Sequence, residues 1–559
     1  MSELVLDYRA NPGAMGAGVG AVYLNASGQL CVVLNDGVEH VFTNVQEANA
    51  FLAKNTFNDG TTAGLTIANV AAPTKKFSFD ASGVTAGQNR VLKAPDADVI
   101  LAGSAAALTS GRMPRVTTGG LLLDDANSPT CDASGNVSIK GALTISAAAI
   151  NDIGTPGGRG FGVGICPTPP AGMHGLVGYT DPASDDWGNY QYADGSIMCW
   201  IPGFYYIWGT GANGFAINVV DIKPLSAYAN EAAANAAGYA LHRMFYDNGA
   251  AQLGVFVDKY IASNNAGTAS SIRNGNPLSS NAAHNPFSGL TGTPADFYYG
   301  AIAAAKTRGA NFFCNSRFIF AGLAMLAYAH AQASSGTTYC AWYNATYNTP
   351  KGCNNNALGD DRDGSILYLS DGYSNAAKTG SANLFSRTTH NGQNSGVADL
   401  NGCMWEITPG LTTDAGGAGY YVLKTSAQMK SVTGGNAGAT DLWGATGIAA
   451  LYDSLGATYE AAAASSTAKL YGAATQVLSA ATSGNAWAWA GAGGPLTAGV
   501  GGTNAFGSDG FWDYRPADMC PVSGGYWAGS SHAGVWALGL STGRGASYDS
   551  VGFRAALYL

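Results

Sequence analysis

Over the first 60 positions, apolar and polar residues alternate in short runs, AVYL, QLCVVL and HVFTN, a period of two that predicts strands. The Asn-Ala-Ser-Gly and Asn-Asp-Gly stretches between them suit hairpin turns. One short helix is predicted around residues 46–54. Residues 1–60 therefore read as a small β-rich domain. From 61 to 172 the texture changes. Runs such as LTIANV, KFSFD, RVLKA, DVILAG, LLLDD and NVSIKGALTIS are separated by Gly, Ser, Asp and Thr. None is long or apolar enough to build a sizeable core in one chain, and such fragments gain stability when copies wrap together and pair their open edges. PGGRG and PTPPAG, within 156–172, predict a linker.

Beyond 173 a helical period joins the strands. A helix is predicted over 224–247, with Ser226 as N-cap and Gly249 as stop. A second is predicted over 293–308, with Thr293 at the cap, Pro294 and Asp296 in the first turn and Gly309 past the end. Phe297, Ala301, Ile302 and Ala305 line one of its faces. A third follows over 316–333, with Phe320, Leu323, Ala324, Ala327 and Tyr328 on one side. Helices gathered between strand clusters argue for an α+β domain over 173–559, not a doubly wound sheet.

Composition sharpens this picture. The chain has 78 glycines in 559 residues and only 11% charged residues, against usual shares of roughly 7% and roughly 25%. A hydrophobic share of 47% excludes a disordered chain. The net charge of −9, without a Lys/Arg cluster, argues against nucleic-acid binding. So few charges suit a surface that subunits cover, hence an oligomeric, β-rich assembly. Glu3 and Asp7 stand where a secretory signal has basic residues, and the apolar stretch 318–333 is short and holds His330, so no membrane insertion is expected.

Candidate chemistry is sparse. The nine cysteines, Cys31, Cys131, Cys166, Cys199, Cys314, Cys340, Cys353, Cys403 and Cys520, form no CxxC pair and read as reduced, partly buried thiols. The seven histidines are far apart, with no HExxH or HxH spacing, and no GxSxG or Walker A loop is present. Asp360, Asp361 and Asp363 offer oxygen ligands for calcium but lack EF-hand spacing, so a solvated acidic turn is the simpler expectation. Asp185, Asp186 and Glu406 serve as glycosidase carboxylates only if folding brings them together. No metal or other cofactor is otherwise expected.

Several separated motifs carry a resemblance. MCWIPGFYYIW (198–208), GVFVDKYIASN (254–264), FFCNSRFIFAGLAMLAYAHA (312–331), DLNGCMWEIT (399–408) and the closing Gly552-Phe553-Arg554 are similar, in order, to the strands and helix of the formylglycine-generating-enzyme type of C-type lectin fold. Asn401, Gly402, Trp405 and Glu406 match one motif of that family. The copper-binding cysteine pair of those enzymes is absent, since Cys520 has no nearby partner, so the resemblance implies fold kinship without the oxidase activity.

The chain more closely resembles the variable proteins of diversity-generating retroelements, of the phage tropism-determinant kind. Residues 61–172 also resemble tail-fibre shafts, in KAPDADVILAG and GRMPRVTTGGLLLDD. In this family the C-terminal segment carries exchangeable residues on a fixed frame. Here the variable segment is expected at about 510–559. The frame reads as Trp527, Gly534, Val535, Trp536, Leu538, Leu540, Arg544, Gly552, Phe553 and Arg554, with Trp405 and Glu406 as further scaffold. The exchangeable, receptor-facing positions read as Tyr526, Ala528, Gly529, His532, Gly539, Ser541, Thr542, Gly543, Tyr548, Asp549 and Ser550. All 39 asparagines lie at or before Asn504, as expected where adenine-rich Asn codons have been rewritten. Tyr gives stiff amphipathic contact while Ser and Gly adapt, the composition of a paratope.

The resemblance implies a phage tail-fibre adhesin. Residues 1–60 would attach to tail or baseplate proteins, 61–172 would form the intertwined β shaft of a homotrimer, and 173–559 would bind a bacterial surface receptor, protein or glycan, without catalysis. A cell-surface or prophage diversified ligand-binding protein and a glycan-degrading fibre enzyme are the alternatives.

Overall fold

The computed structural model describes residues 150–559, apart from 293–296, 344–349, 351–363, 414–418, 425–451, 456–468, 472–480, 496–505 and 517, together with the strands within the first 149 residues. Backbone contacts divide the chain into Met1–Leu143 and Thr144–Leu559.

The first unit is built of antiparallel hairpins. Ala21–Leu24, Leu30–Val33 and Glu39–Phe42 form a three-stranded antiparallel sheet, and the Asn/Gly-rich stretches between them lie outside the described residues. Thr66–Asn69 with Ala72–Ser78, Arg115–Val116 with Leu122–Leu123, and Thr130–Cys131 with Val137–Ser138 make separate two-stranded ladders. The short helix expected at 46–54 lies outside the described residues.

The second unit is α+β. Its core sheet runs in the order Met173–Gly175, Asn189–Tyr192, Ile197–Pro202, Gly254–Asp258, Ala555–Leu557 and Phe313–Cys314, all antiparallel. Ile197–Pro202 and Gly254–Asp258 are buried on nearly every residue, which is why they read as continuous apolar runs. Phe204–Trp208 lies between Val220–Pro224 and Ala240–Leu241 in a smaller sheet. The helix Arg317–Ala333 starts at Ser316, whose side chain accepts a hydrogen bond from Ile319 N, and buries almost its whole length.

Two expectations are corrected here. The helix over 224–247 is reduced to Glu231–Ala236, capped by Asn230. Gly238 turns the chain at φ +85° and Ala240–Leu241 joins the edge of Phe204–Trp208, so the apolar residues are used as strand. Ser226 lies in a separate 3₁₀ turn. The linker at 156–172 is instead part of the second unit, and Phe161 and Val163 are fully buried. Its glycines permit close approach rather than freedom. At Gly162, φ +87°, a Cβ would stand 2.7 Å from His390 Nε2. The helix expected over 293–308 is found as Phe297–Lys306, with Ala301, Ile302 and Ala305 buried.

A second six-stranded sheet runs Lys469–Leu470, Gly510–Trp512, Leu538–Gly539, Val522–Ser523, Trp405–Ile407 and Val551–Gly552. Arg554 ties it to the core sheet. Its guanidinium binds both carboxylate oxygens of Glu406 and donates to Asp258 O at 3.0 Å and Ala398 O at 3.0 Å. Asp258 in turn receives Arg308 on both oxygens, at 2.6 and 3.0 Å, and Ala555 N at 2.9 Å. Every charge in this buried chain has a partner, as burial demands.

Candidate recognition face

The closing segment supplies four of the six strands of the second sheet, and its residues separate by exposure. Trp536, Phe553 and Arg554 are fully buried, Arg544 is 1% exposed and Trp527 6%. Val535, Leu538 and Leu540 are buried beside them. Trp536 sits among the rings of Trp208, Tyr328, Tyr471 and Phe506, at centroid distances of 5.2–6.5 Å. Its backbone N donates to Asp509 Oδ2 at 2.8 Å. Trp527 packs with Ile261, Ala376 and Met404. Arg544 pairs with Asp518 and donates to Thr412 Oγ1 at 3.1 Å.

Between these anchors the chain returns repeatedly to solvent. Tyr526, Ala528, Gly529, His532, Ser541, Thr542, Gly543 and Asp549 are half-buried, and Tyr548 is 52% exposed. Two positions depart from the expectation of an outward-facing side chain. Gly539 is buried in an interior strand, where a Cβ would meet Val522 Cγ2 at 2.8 Å. Ser550 is 9% exposed, and its carbonyl accepts from Trp405 N at 3.0 Å as the chain enters Val551–Gly552. The hydroxyl of half-buried Ser541 points inward and has no hydrogen-bond partner among the described residues.

The stretch 547–549 is held from outside the segment. Ser280 Oγ accepts from Tyr548 N and donates to Tyr548 O, both at 2.9 Å, and Ser547 Oγ donates to Ser280 O at 2.7 Å. His284 Nδ1 meets Asp549 O at 3.0 Å and its Nε2 meets Asp371 Oδ2 at 2.6 Å. Tyr373 stacks on His284 at 4.3 Å and donates to Asp549 Oδ2 at 3.0 Å. The bond to this carboxylate pushes the Tyr373 phenol above the ordinary tyrosine range. Most of these contacts engage main chain, so they survive a change of side chain at 548. Ser280, His284, Asp371 and Tyr373 gave no sequence signal, because they come from loops that only the fold brings to the segment.

Other candidate residues lie elsewhere. Glu406 is buried and held on both oxygens by Arg554, Asp185 is exposed and Asp186 half-buried. Asp360, Asp361 and Asp363 lie outside the described residues. Among the described residues no group of three His, Cys, Asp or Glu could hold a metal ion, and no helix is long and apolar enough to cross a membrane. Cys31, Cys166, Cys199, Cys314, Cys340, Cys403 and Cys520 are buried. Burial holds Cys314 well above the ordinary thiol range.

No protein-family model matches the chain, and no curated protein matches it. Solved structures of Major Tropism Determinant variants are similar at low level. The U1 variant is 10% identical, covering 99% of each chain at a TM-score of 0.24. The P3c variant is 11% identical over 99% of each chain at 0.24. The M1 variant is 11% identical over 98% of this chain and 96% of its own at 0.25. Scores of this size carry no argument about fold or function, so the weight rests on the geometry of the face: a buried aromatic and arginine frame that presents interspersed side chains to solvent.

Proposed function

We propose that this chain is a phage tail-fibre adhesin that binds a bacterial surface receptor through residues 526–550 and catalyses no reaction. The observation that carries the reading is the division of the closing segment, with Trp527, Trp536, Arg544, Phe553 and Arg554 buried while Tyr526, His532, Thr542, Tyr548 and Asp549 reach solvent. Such a surface tolerates exchange of its outward residues because rigid elements hold its backbone. In this reading 1–60 meets the virion, the rest of the first unit, up to Leu143, forms the shaft of a homotrimer, and several copies raise avidity by roughly 10²–10⁴. No metal or cofactor takes part.

The test replaces Tyr526, His532, Thr542, Tyr548 and Asp549 together by serine. We expect an unchanged circular dichroism spectrum and loss of adsorption to host cells. Unfolding of the variant, or undiminished adsorption, overturns the reading. Release of new reducing ends from host polysaccharide by the purified chain overturns its non-catalytic part. A light-scattering mass of one chain overturns the trimer.

A further inference from the structure

The second sheet carries two tryptophans that the closing pattern does not include in its exchangeable set. Trp512 pairs with Gly539, Gly539 with Val522, and Val522 with Ile407. Cross-strand partners share a face, and Trp405, two residues before Ile407, stands on that face too. Trp405 and Trp512 are rooted three strand spacings apart, roughly 14 Å, yet their rings meet at 5.5 Å, at an angle of 79°. Trp405 reaches over the strand of Gly539 and Trp512 lies along its own strand over Gly510, where a Cβ would stand 2.5 Å from Trp512 Cη2, so two missing side chains leave room for the rings. A Cβ at Gly539 would lie 3.8 Å from Trp405 Cη2. Tyr526 lies alongside Trp405 at 6.3 Å and 22°, and His532 meets the edge of Trp512 at 6.1 Å. All four rings are half-buried.

We propose that Trp405 and Trp512 form a constant apolar anchor in the recognition face, and that its occupant is an uncharged apolar side chain of a protein partner. This rests on the recognition-face reading above. Two observations select the occupant. Tyr526 and His532 adjoin the tryptophans and belong to the exchangeable set, so the face meets what those positions meet. A contact between copies of the chain would be broken each time they changed. The face is also electrically neutral at its centre. Among the described residues no ion pair or cation–π contact touches Trp405, Trp512 or Tyr526; Glu406 on the sheet and Asp509 and Asp513 beside the strand Gly510–Trp512 are buried, and Lys469 on the edge strand stands opposite Phe511, whose side chain points to the other face, and pairs with Asp513. The edge-to-face corner of the two rings admits a branched aliphatic or aromatic side chain, and offers no flat parallel shelf for a sugar ring. Tryptophan and tyrosine at a neutral centre ringed by small polar residues is the pattern of a binding hot spot.

The test selects a displayed random dodecapeptide library on the full chain and probes a glycan array in parallel. We expect neutral peptides enriched in Leu, Ile, Phe or Trp. Their binding should fall at least 10-fold in Trp405→Ala and in Trp512→Ala, and less in Trp512→Phe, which guards against a folding defect. It should also fall when Thr542 and Tyr548 are replaced. Peptides lost on the latter change but indifferent to both tryptophans overturn the anchor and leave the recognition face standing. Binding indifferent to both sets overturns the face as well. Glycan binding that needs the tryptophans, or no peptide selected at all, overturns the protein-side-chain occupant.

Discussion

Residues 526–540 and 541–550 are consecutive lengths of one segment, and their backbones are fixed by different physics. The first is anchored by rings, with Trp527 among Ile261, Ala376 and Met404 and Trp536 inside an aromatic nest. The second is held largely by polar atoms, with Arg544 on Asp518, Ser280 on Tyr548 and His284 on Asp549. Apolar packing is non-directional and tolerates imperfect fit, whereas the polar clamps demand geometry but engage mostly main chain. The difference teaches that a segment can hold its side chains out to solvent by either route, provided that the fixing groups avoid those outward side chains.

The largest expected effect acts beneath both lengths and asks whether they share one scaffold. Burial holds His242, His330 and His390 neutral, with pKa values lowered from 6.5 to about 3, 4 and 4. The unfolded chain therefore binds more protons below pH 6.5, and stability is lost as pH falls from there toward 4. At pH 5 each ring costs on the order of 2 kcal/mol. Asp399, raised to about 6 by burial, works the other way and returns about 1 kcal/mol at that pH. Chemical unfolding at pH 5 and 7.5, followed by probes in each length, should show one shared transition displaced to lower denaturant. Two separate transitions would break the idea of a common base.

Next, Trp536→Ala should cost about 3–5 kcal/mol, because it empties a site fully enclosed by rings. Urea melts measure this. Ser280→Ala should cost about 1–2 kcal/mol, since Tyr548 N and O both lose their hydroxyl partner. Faster amide exchange at Tyr548, without change at residue 536, would locate the effect. Tyr548→Ser should move stability by less than about 0.5 kcal/mol, because the half-exposed side chain is not what fixes the backbone there. A cost comparable with Trp536→Ala would erase the contrast.

Much of this was legible in local pattern. The helix Arg317–Ala333 declared itself by Ser316 and an unbroken apolar run, whereas the closing frame was read from a family resemblance, and its Trp527, Trp536, Arg544, Phe553 and Arg554 are buried. What failed was local inference about residues whose fate is decided at long range. The Ala-rich 224–247 has helix-forming composition, but Tyr205 and Tyr206 draw Leu241 and Ala240 into a sheet. Gly and Pro at 156–172 have linker composition, yet Gly157 N donates to His330 Nδ1 at 3.0 Å and Asn391 Nδ2 donates to Phe161 O at 2.8 Å. The meeting of Trp405 with Trp512 depends on a sheet order that no spacing in the chain encodes.

The strand Ala555–Leu557 lies inside the core sheet, between Gly254–Asp258 and Phe313–Cys314, and it is translated after every outward position of the closing segment. A lost or gained nucleotide anywhere in codons 526–550 therefore deletes an internal strand together with Phe553 and Arg554. A frame-shifted chain would lack that strand, whereas a substitution at an outward position leaves it in place. The core sheet thus makes folding of the whole second unit a check on the reading frame of the closing segment.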